Sequence, residues 1–154
     1  MTIICVDTQL LDKFQEEIKM KTAVIYWSGT GNTEAMANAI AEGAGADLFS
    51  VSDFSGNISD YDKIAFGCPA MGAEVLEEDE FEPFFESIEG DLSGKDIALF
   101  GSYGWGDGEW MRSWVERAEN DGAKIFTGEG FIINETPDDD GLAKCKEFGA
   151  DFAK

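Results

Sequence analysis

The feature that most constrains this chain is an alternation. Short apolar runs rich in β-branched and aromatic residues are each followed by a loop and then by a helical stretch. The runs are Lys21–Trp27 (KTAVIYW), Asp47–Val51, Lys63–Cys68 (KIAFGC, ended by Pro69), Asp96–Gly101 (DIALFG) and Lys124–Ile133, the last interrupted by Gly128 and Gly130. The helical stretches are Glu34–Glu42, Glu77–Ile88, about Glu109–Glu119, and a final helix opened by Thr136-Pro137-Asp138-Asp139-Asp140. In that last start Thr136 reads as the cap and Pro137 as the first helical residue, with acids in the first turn. Phe81, Phe84, Phe85 and Ile88 recur at helical spacing, as do Trp110, Trp114 and Val115. Pro83 sits inside the first of these patterns and marks either a late start or a kink. Strands alternating with helices predict an α/β domain around a parallel sheet.

The chain has 154 residues, the size of one domain with a core of its own. Residues 20–154 carry the alternation. Residues 1–19 read as an N-terminal extension, in which Leu10, Leu11, Phe14 and Ile18 would share one face of a helix capped by Thr8. The N-terminus has early acids, no basic start and no small-residue cleavage site, and no apolar run is long enough for a bilayer. The cysteines, Cys5, Cys68 and Cys145, are scattered and match no metal spacing. A cytoplasmic protein with reduced thiols is expected, with Cys68 as buried filler.

Charge and composition narrow the function. The net charge is −21, a field that repels nucleic acid and anionic membranes and attracts basic protein surfaces. There is no histidine, so the commonest general base and the commonest metal ligand are missing. No catalytic residue and no metal ligand are assigned.

Three loops at the carboxyl ends of strands carry the remaining signal, because open α/β sheets bind ligands there. Ser28-Gly29-Thr30-Gly31-Asn32-Thr33 joins the first strand to the first helix. Its glycines let backbone wrap an anion at a helix N-terminus, and its hydroxyls and amide add donors. It lacks the lysine of a nucleotide-triphosphate loop and the third glycine of a dinucleotide fingerprint. Pro69-Ala70-Met71-Gly72-Ala73-Glu74 follows the third strand, and Gly101-Ser102-Tyr103-Gly104-Trp105-Gly106-Asp107-Gly108 follows the fourth. A tryptophan between glycines has little to pack on unless a planar ligand supplies it. Trp105 could cover one face of such a ring and Met71 the other.

The blocks YWSGTGNTEAMA, GCPAMGAEVLEEDEFEPF and ALFGSYGWGDGEWM, in this order, resemble the short-chain flavodoxins over about residues 20–154. The resemblance implies a flavodoxin-like three-layer α/β/α fold with a five-stranded parallel sheet in the order 2-1-3-4-5. It also implies one bound flavin mononucleotide (FMN). By the same resemblance Ser28, Gly29, Thr30, Gly31, Asn32 and Thr33 hold the phosphate. In the second loop, Pro69 and Ala70 lead into Met71, Gly72, Ala73 and Glu74, which line the inner face and the N5/N3 edge of the ring. Ser102, Tyr103, Gly104, Trp105 and Gly106 form the other wall, with Trp105 on the outer ring face, and Asn134 occupies a loop approaching the site. A flip of the Gly72–Ala73 peptide would meet the proton that one-electron reduction places on N5. Two features depart from the family: Ala73 stands where Asp is common, and the segment EGAGADLFS after the first helix is short, so that helix should be clipped.

The implied function is a low-potential, one-electron carrier cycling FMN among quinone, semiquinone and hydroquinone, in place of ferredoxin. It is expected to be a monomer. Its partners would be ferredoxin- or flavodoxin-dependent oxidoreductases with basic surfaces, and not nucleic acid or membrane. Nine acids and no base between Glu74 and Asp91 would form the docking face. None of the three loops contains Lys or Arg, which disfavours a reduced flavin anion. The alternatives are an FMN-dependent quinone or nitro reductase on the same fold, or a response-regulator receiver. A receiver needs clustered Asp at the ends of strands one and three, where this chain has Trp27-Ser28 and Cys68-Pro69.

Overall fold

A computed structural model describes residues 21–154; the reading of residues 1–19 as an extension lies outside them. The elements are β1 (Thr22–Tyr26), α1 (Asn32–Ala44), β2 (Asp47–Ser50), β3 (Lys63–Gly67), α2 (Phe81–Ile88), β4 (Asp96–Tyr103), α3 (Glu109–Asn120), β5 (Lys124–Ile125), β6 (Phe131–Asn134) and α4 (Asp139–Phe152). All strand pairs are parallel, in the order β2-β1-β3-β4-β5, with β6 also pairing β4. The expected order 2-1-3-4-5 is therefore present, and the sixth strand is extra.

That extra strand corrects the reading of Lys124–Ile133 as one interrupted strand. Between β5 and β6 the chain makes a 3-10 turn at Phe126–Gly128, with Thr127 at φ 62 and Gly128 at φ 76. Left-handed residues cannot extend a ladder, so pairing with β4 stops at Ile125 and resumes at Phe131. Two helix starts also differ from expectation. The acidic helix begins at Phe81 rather than Glu77, which puts Pro83 in the first turn, where its missing N–H costs nothing. The last helix is capped by Asp138, whose carboxylate accepts from the Gly141 amide at 2.7 Å, so Pro137 lies just before the cap.

Side-chain alternation along the strands divides the core in two. Ala23, Ile25, Ile64, Phe66, Ile97 and Leu99 pack on one face against Phe81 and Phe85 of α2 and Trp110 and Trp114 of α3. Val24, Ala65, Ala98 and Phe100 pack on the other face against Met36 and Ile40 of α1 and Cys145 and Phe152 of α4. Three layers result, because a sheet buried on both faces needs helices on both sides. With all strands parallel, every strand-to-helix loop opens at one edge of the sheet.

Candidate functional site

The first loop leaves β1 and enters α1 through Gly31, at φ 95. Gly31 contributes no side-chain cap; of the opening amides of α1, those of Gly31 and Glu34 are taken by Ser28, and those of Asn32 and Thr33 are of the kind an anion takes. Ser28 folds its hydroxyl into the loop, where Oγ accepts from the amides of Gly31 at 3.1 Å and Glu34 at 3.2 Å. Thr33 is fully buried, and its Oγ1 lies 2.8 Å from Ser102 Oγ and accepts from the Ser102 amide at 3.3 Å. Thr33 and Ser102 thus form a strut beneath the site, tying the first loop to the end of β4.

The second loop is a hairpin tip. Met71 and Val75 exchange backbone hydrogen bonds of 2.9 and 3.0 Å across an antiparallel bridge. Gly72 and Glu74 both sit in the left-handed region, at φ 48 and 55, with Gly72 and Ala73 exposed at the tip. The third loop runs from Tyr103 to the start of α3. Trp105 is 60% exposed and is one of two large exposed apolar side chains among the described residues, the other being Val75.

The three loops meet at one cleft of about 240 Å³. Gly29, Thr30 and Asn32 contribute from the first loop, Pro69, Ala70 and Met71 from the second, and Ser102, Tyr103 and Gly104 from the third. Trp27 and Glu135 line it too; neither was among the expected site residues, although Trp27 lies in the first of the quoted blocks. An added Cβ at Gly29 would fall 2.9 Å from the Trp27 ring, which would have to shift to admit it. Asn134 stands at the same edge: its Nδ2 and the Glu135 amide both donate to the Tyr103 carbonyl, at 3.3 and 2.7 Å. Gly72, Ala73, Glu74, Trp105 and Gly106 lie on the loops around the cleft rather than on its lining. A larger cleft of about 390 Å³ lies between α3 and residues 74–78, floored by Trp110 and Trp114, and shares no lining residue with the first.

These features suit a phosphorylated, planar, largely apolar group. The cradle offers neutral donors, the cleft is walled by Trp27, Met71 and Tyr103, and an indole stands uncovered beside it.

The surrounding electrostatics were only partly legible. Of the nine acids from Glu74 to Asp91, four are held by partners: Glu74, whose Oε1 accepts from the Glu109 amide at 3.2 Å, and Glu77, Glu82 and Glu89. Glu77 is buried and accepts from the amides of Asp79, Glu80 and Phe81 at 2.7, 2.8 and 2.8 Å. Burial pushes its carboxyl up, but the Phe81, Glu80 and Asp79 donors outweigh burial and hold it below the ordinary range. Glu82 and Glu89 both pair with Arg117 of α3, whose guanidinium also lies 5.0 Å over the Phe85 ring. Glu78, Asp79, Glu80, Glu86 and Asp91 remain exposed. Arg112, outside the loops in sequence, reaches back into the third one, donating to the Asp107 carbonyl and to the Asp107 and Glu109 carboxylates at 3.0, 2.9 and 2.8 Å.

The flavodoxin family model matches residues 24–149. A flavodoxin of Megasphaera elsdenii is 50% identical over 137 residues, spanning 85% of this chain and 97% of its own. One of Clostridium beijerinckii is 47% identical over 136 residues, spanning 84% and 97%. The solution structure of two-electron reduced Megasphaera elsdenii flavodoxin superimposes with a TM-score of 0.73 at 48% identity, covering 86% of this chain and 98% of that one.

Proposed function

This chain belongs to the flavodoxin family, and we propose that its three loops hold FMN for one-electron transfer between redox enzymes. It is an FMN-binding electron carrier and not an enzyme, and the reductase alternative is not favoured. FMN when bound supplies the redox chemistry, accepting and releasing electrons one at a time, and the protein supplies binding, orientation and electrostatics.

The convergence of the three loops on one cleft carries the residue-level reading. Ser28, Gly29, Thr30, Gly31 and Asn32 bind the phosphate with backbone amides and hydroxyls, without a cation. Thr33 supports them from below through Ser102. Pro69, Ala70, Met71, Gly72, Ala73 and Glu74 line the inner face and edge of the ring. Ser102, Tyr103, Gly104, Trp105 and Gly106 line the outer face, Trp105 by stacking, and Asn134 closes the far edge by holding Tyr103 in place. A carbonyl of the exposed Gly72–Ala73 tip would accept a hydrogen bond from an N–H at the flavin edge.

The partners in this reading are basic-surfaced oxidoreductases that otherwise use ferredoxin, met by the exposed acids Glu78, Asp79, Glu80, Glu86 and Asp91. The carrier works as a cytoplasmic monomer. Among the described residues no helix is long and apolar enough to cross a membrane, and Cys68 and Cys145 are free and buried. Residues 1–19 are an extension to the flavin domain.

Titration of the flavin-free protein with FMN and riboflavin tests the site. FMN should bind far more tightly, inorganic phosphate should compete, and partial photoreduction should turn the yellow complex blue. Equal affinity for the two flavins would remove Ser28–Thr33 from the phosphate site.

A further inference from the structure

Beside the cleft of the three loops lies the larger groove of about 390 Å³, between α3 and residues 74–78. The Met71–Val75 bridge joins the two, since Met71 lines the cleft and Val75 lines the groove. Val75 is 41% exposed, and an apolar side chain left in water is surface that an occupant could cover. Buried Leu76, Trp110 and Trp114 complete the apolar lining. The polar lining has a definite sign. Arg117 is already committed to Glu82 and Glu89. Glu78 is exposed, and no cation pairs with it among the described residues. An exposed apolar wall beside a carboxylate without a counter-ion suits a side chain that is apolar along its stem and positive at its tip. Arg117 makes the same kind of contact within the chain, with its guanidinium over the Phe85 ring and its nitrogens on two carboxylates.

We propose that this groove is an anchor site for one arginine or lysine side chain on the surface of a redox partner. The methylene stem covers Val75, and the charged head meets Glu78. The inference rests on the carrier reading and adds to it a single seated contact, apart from the general attraction of the acidic face. Covering Val75 takes apolar surface out of water, a short-range gain that salt does not screen. The exposed acids around the groove act over a longer range and raise the rate of encounter. The anchor therefore sets how long the partner stays. Through the Val75–Met71 bridge it also seats the partner against the loop that holds the flavin edge in this reading.

The test uses the full chain with FMN bound and N-acetyl-arginine amide as the probe. In two-dimensional NMR, millimolar probe should shift the amides of Val75–Glu78 and Ser113–Arg117. It should also shift the Trp114 indole N–H, which has no acceptor of its own among the described residues. Guanidinium chloride at the same concentration carries the charge without the stem and should leave those signals in place. Ser113 is an exposed α3 residue at the groove and outside the flavin site, so Ser113→Trp fills the groove. That variant should abolish the probe's shifts while FMN affinity stays within about twofold of wild type. Ser113→Lys places a resident cation there and should also abolish them. In stopped flow with a ferredoxin-dependent reductase of basic surface, Ser113→Trp should speed dissociation about tenfold and change association little. Shifts spread evenly over the exposed acids, equal shifts from guanidinium, or an unchanged dissociation rate in Ser113→Trp would overturn the anchor. Failure of the wild type to bind FMN would instead sink the carrier reading, and the probe titration of the flavin-free chain would still decide whether the groove takes an arginine.

Discussion

Replacing Glu77 probes how the acidic segment is held. Glu77 is 5% exposed, and its carboxylate collects three backbone donors at the entry to α2. An ordinary cap contributes about 1 kcal/mol, and a hydrogen bond to a charged group about 1.5–3 kcal/mol net. Three donors sharing two oxygens, one donor buried and two partly buried, place the loss for Glu77→Ala at about 3 kcal/mol. Glu77→Gln keeps one carbonyl oxygen and should lose roughly half of that. For a domain of this size, 3 kcal/mol corresponds to a drop in Tm of about 6–12 °C. The pH dependence has a definite sign. The folded-state carboxyl is held below its ordinary range, so its contribution is fully present above the unfolded value, near 4.3. It is lost as pH falls through the lower folded value. Urea unfolding should therefore show a constant gap between wild type and Glu77→Gln from about pH 7 to 5.5, narrowing below about pH 4.3. A gap that stays the same to pH 3, or a Glu77→Gln variant as stable as wild type at pH 7, would refute the cap.

Three further outcomes follow from the packing. Gly149 of α4 lies against the Ile40 carbonyl of α1, where a Cβ would overlap the oxygen. Gly149→Ala, which raises intrinsic helix propensity, should nonetheless destabilise by about 1–3 kcal/mol in urea unfolding, and a stabilised variant would show that the helices do not approach this closely. Burial pushes the Cys68 thiol up and the Cys145 thiol up to about 11, so at pH 8 neither should be modified by a thiol reagent in the native state, with mass mapping as the readout. Reversing the exposed charges Glu78, Asp79 and Glu80 should slow association with a basic redox partner and flatten its salt dependence, whereas neutralising Glu82 or Glu89 should act first on stability by freeing Arg117; stopped-flow rates across ionic strength separate the two.

What the sequence determined by itself was local. The strand runs Lys21–Trp27, Lys63–Cys68 and Asp96–Gly101 and the helices α1 and α3 were visible because apolar periodicity and β-branching act within a few residues, although β4 runs on through Ser102 and Tyr103, which the sequence had placed in the loop. The three loops were visible for the same reason: glycines, hydroxyls and an indole in a short span are a chemical pattern before they are a shape. Tertiary structure decided whatever depended on residues distant in the chain. Thr33 turned inward because Ser102, 69 residues away, offered it a buried partner. The acidic run lost Glu82 and Glu89 to an arginine on α3, and Arg112 brought a cation to a loop that contains none. The last strand split because β4 could pair its two halves but not the left-handed turn between them. Glu74 carries the same lesson into the site: its residue type suggests only an acid at a loop end, and the fold sets it against the Glu109 amide. Propensity is a sum over neighbours in sequence, while a hydrogen-bond partner or a close backbone approach is chosen by neighbours in space, and only the folded chain brings those together.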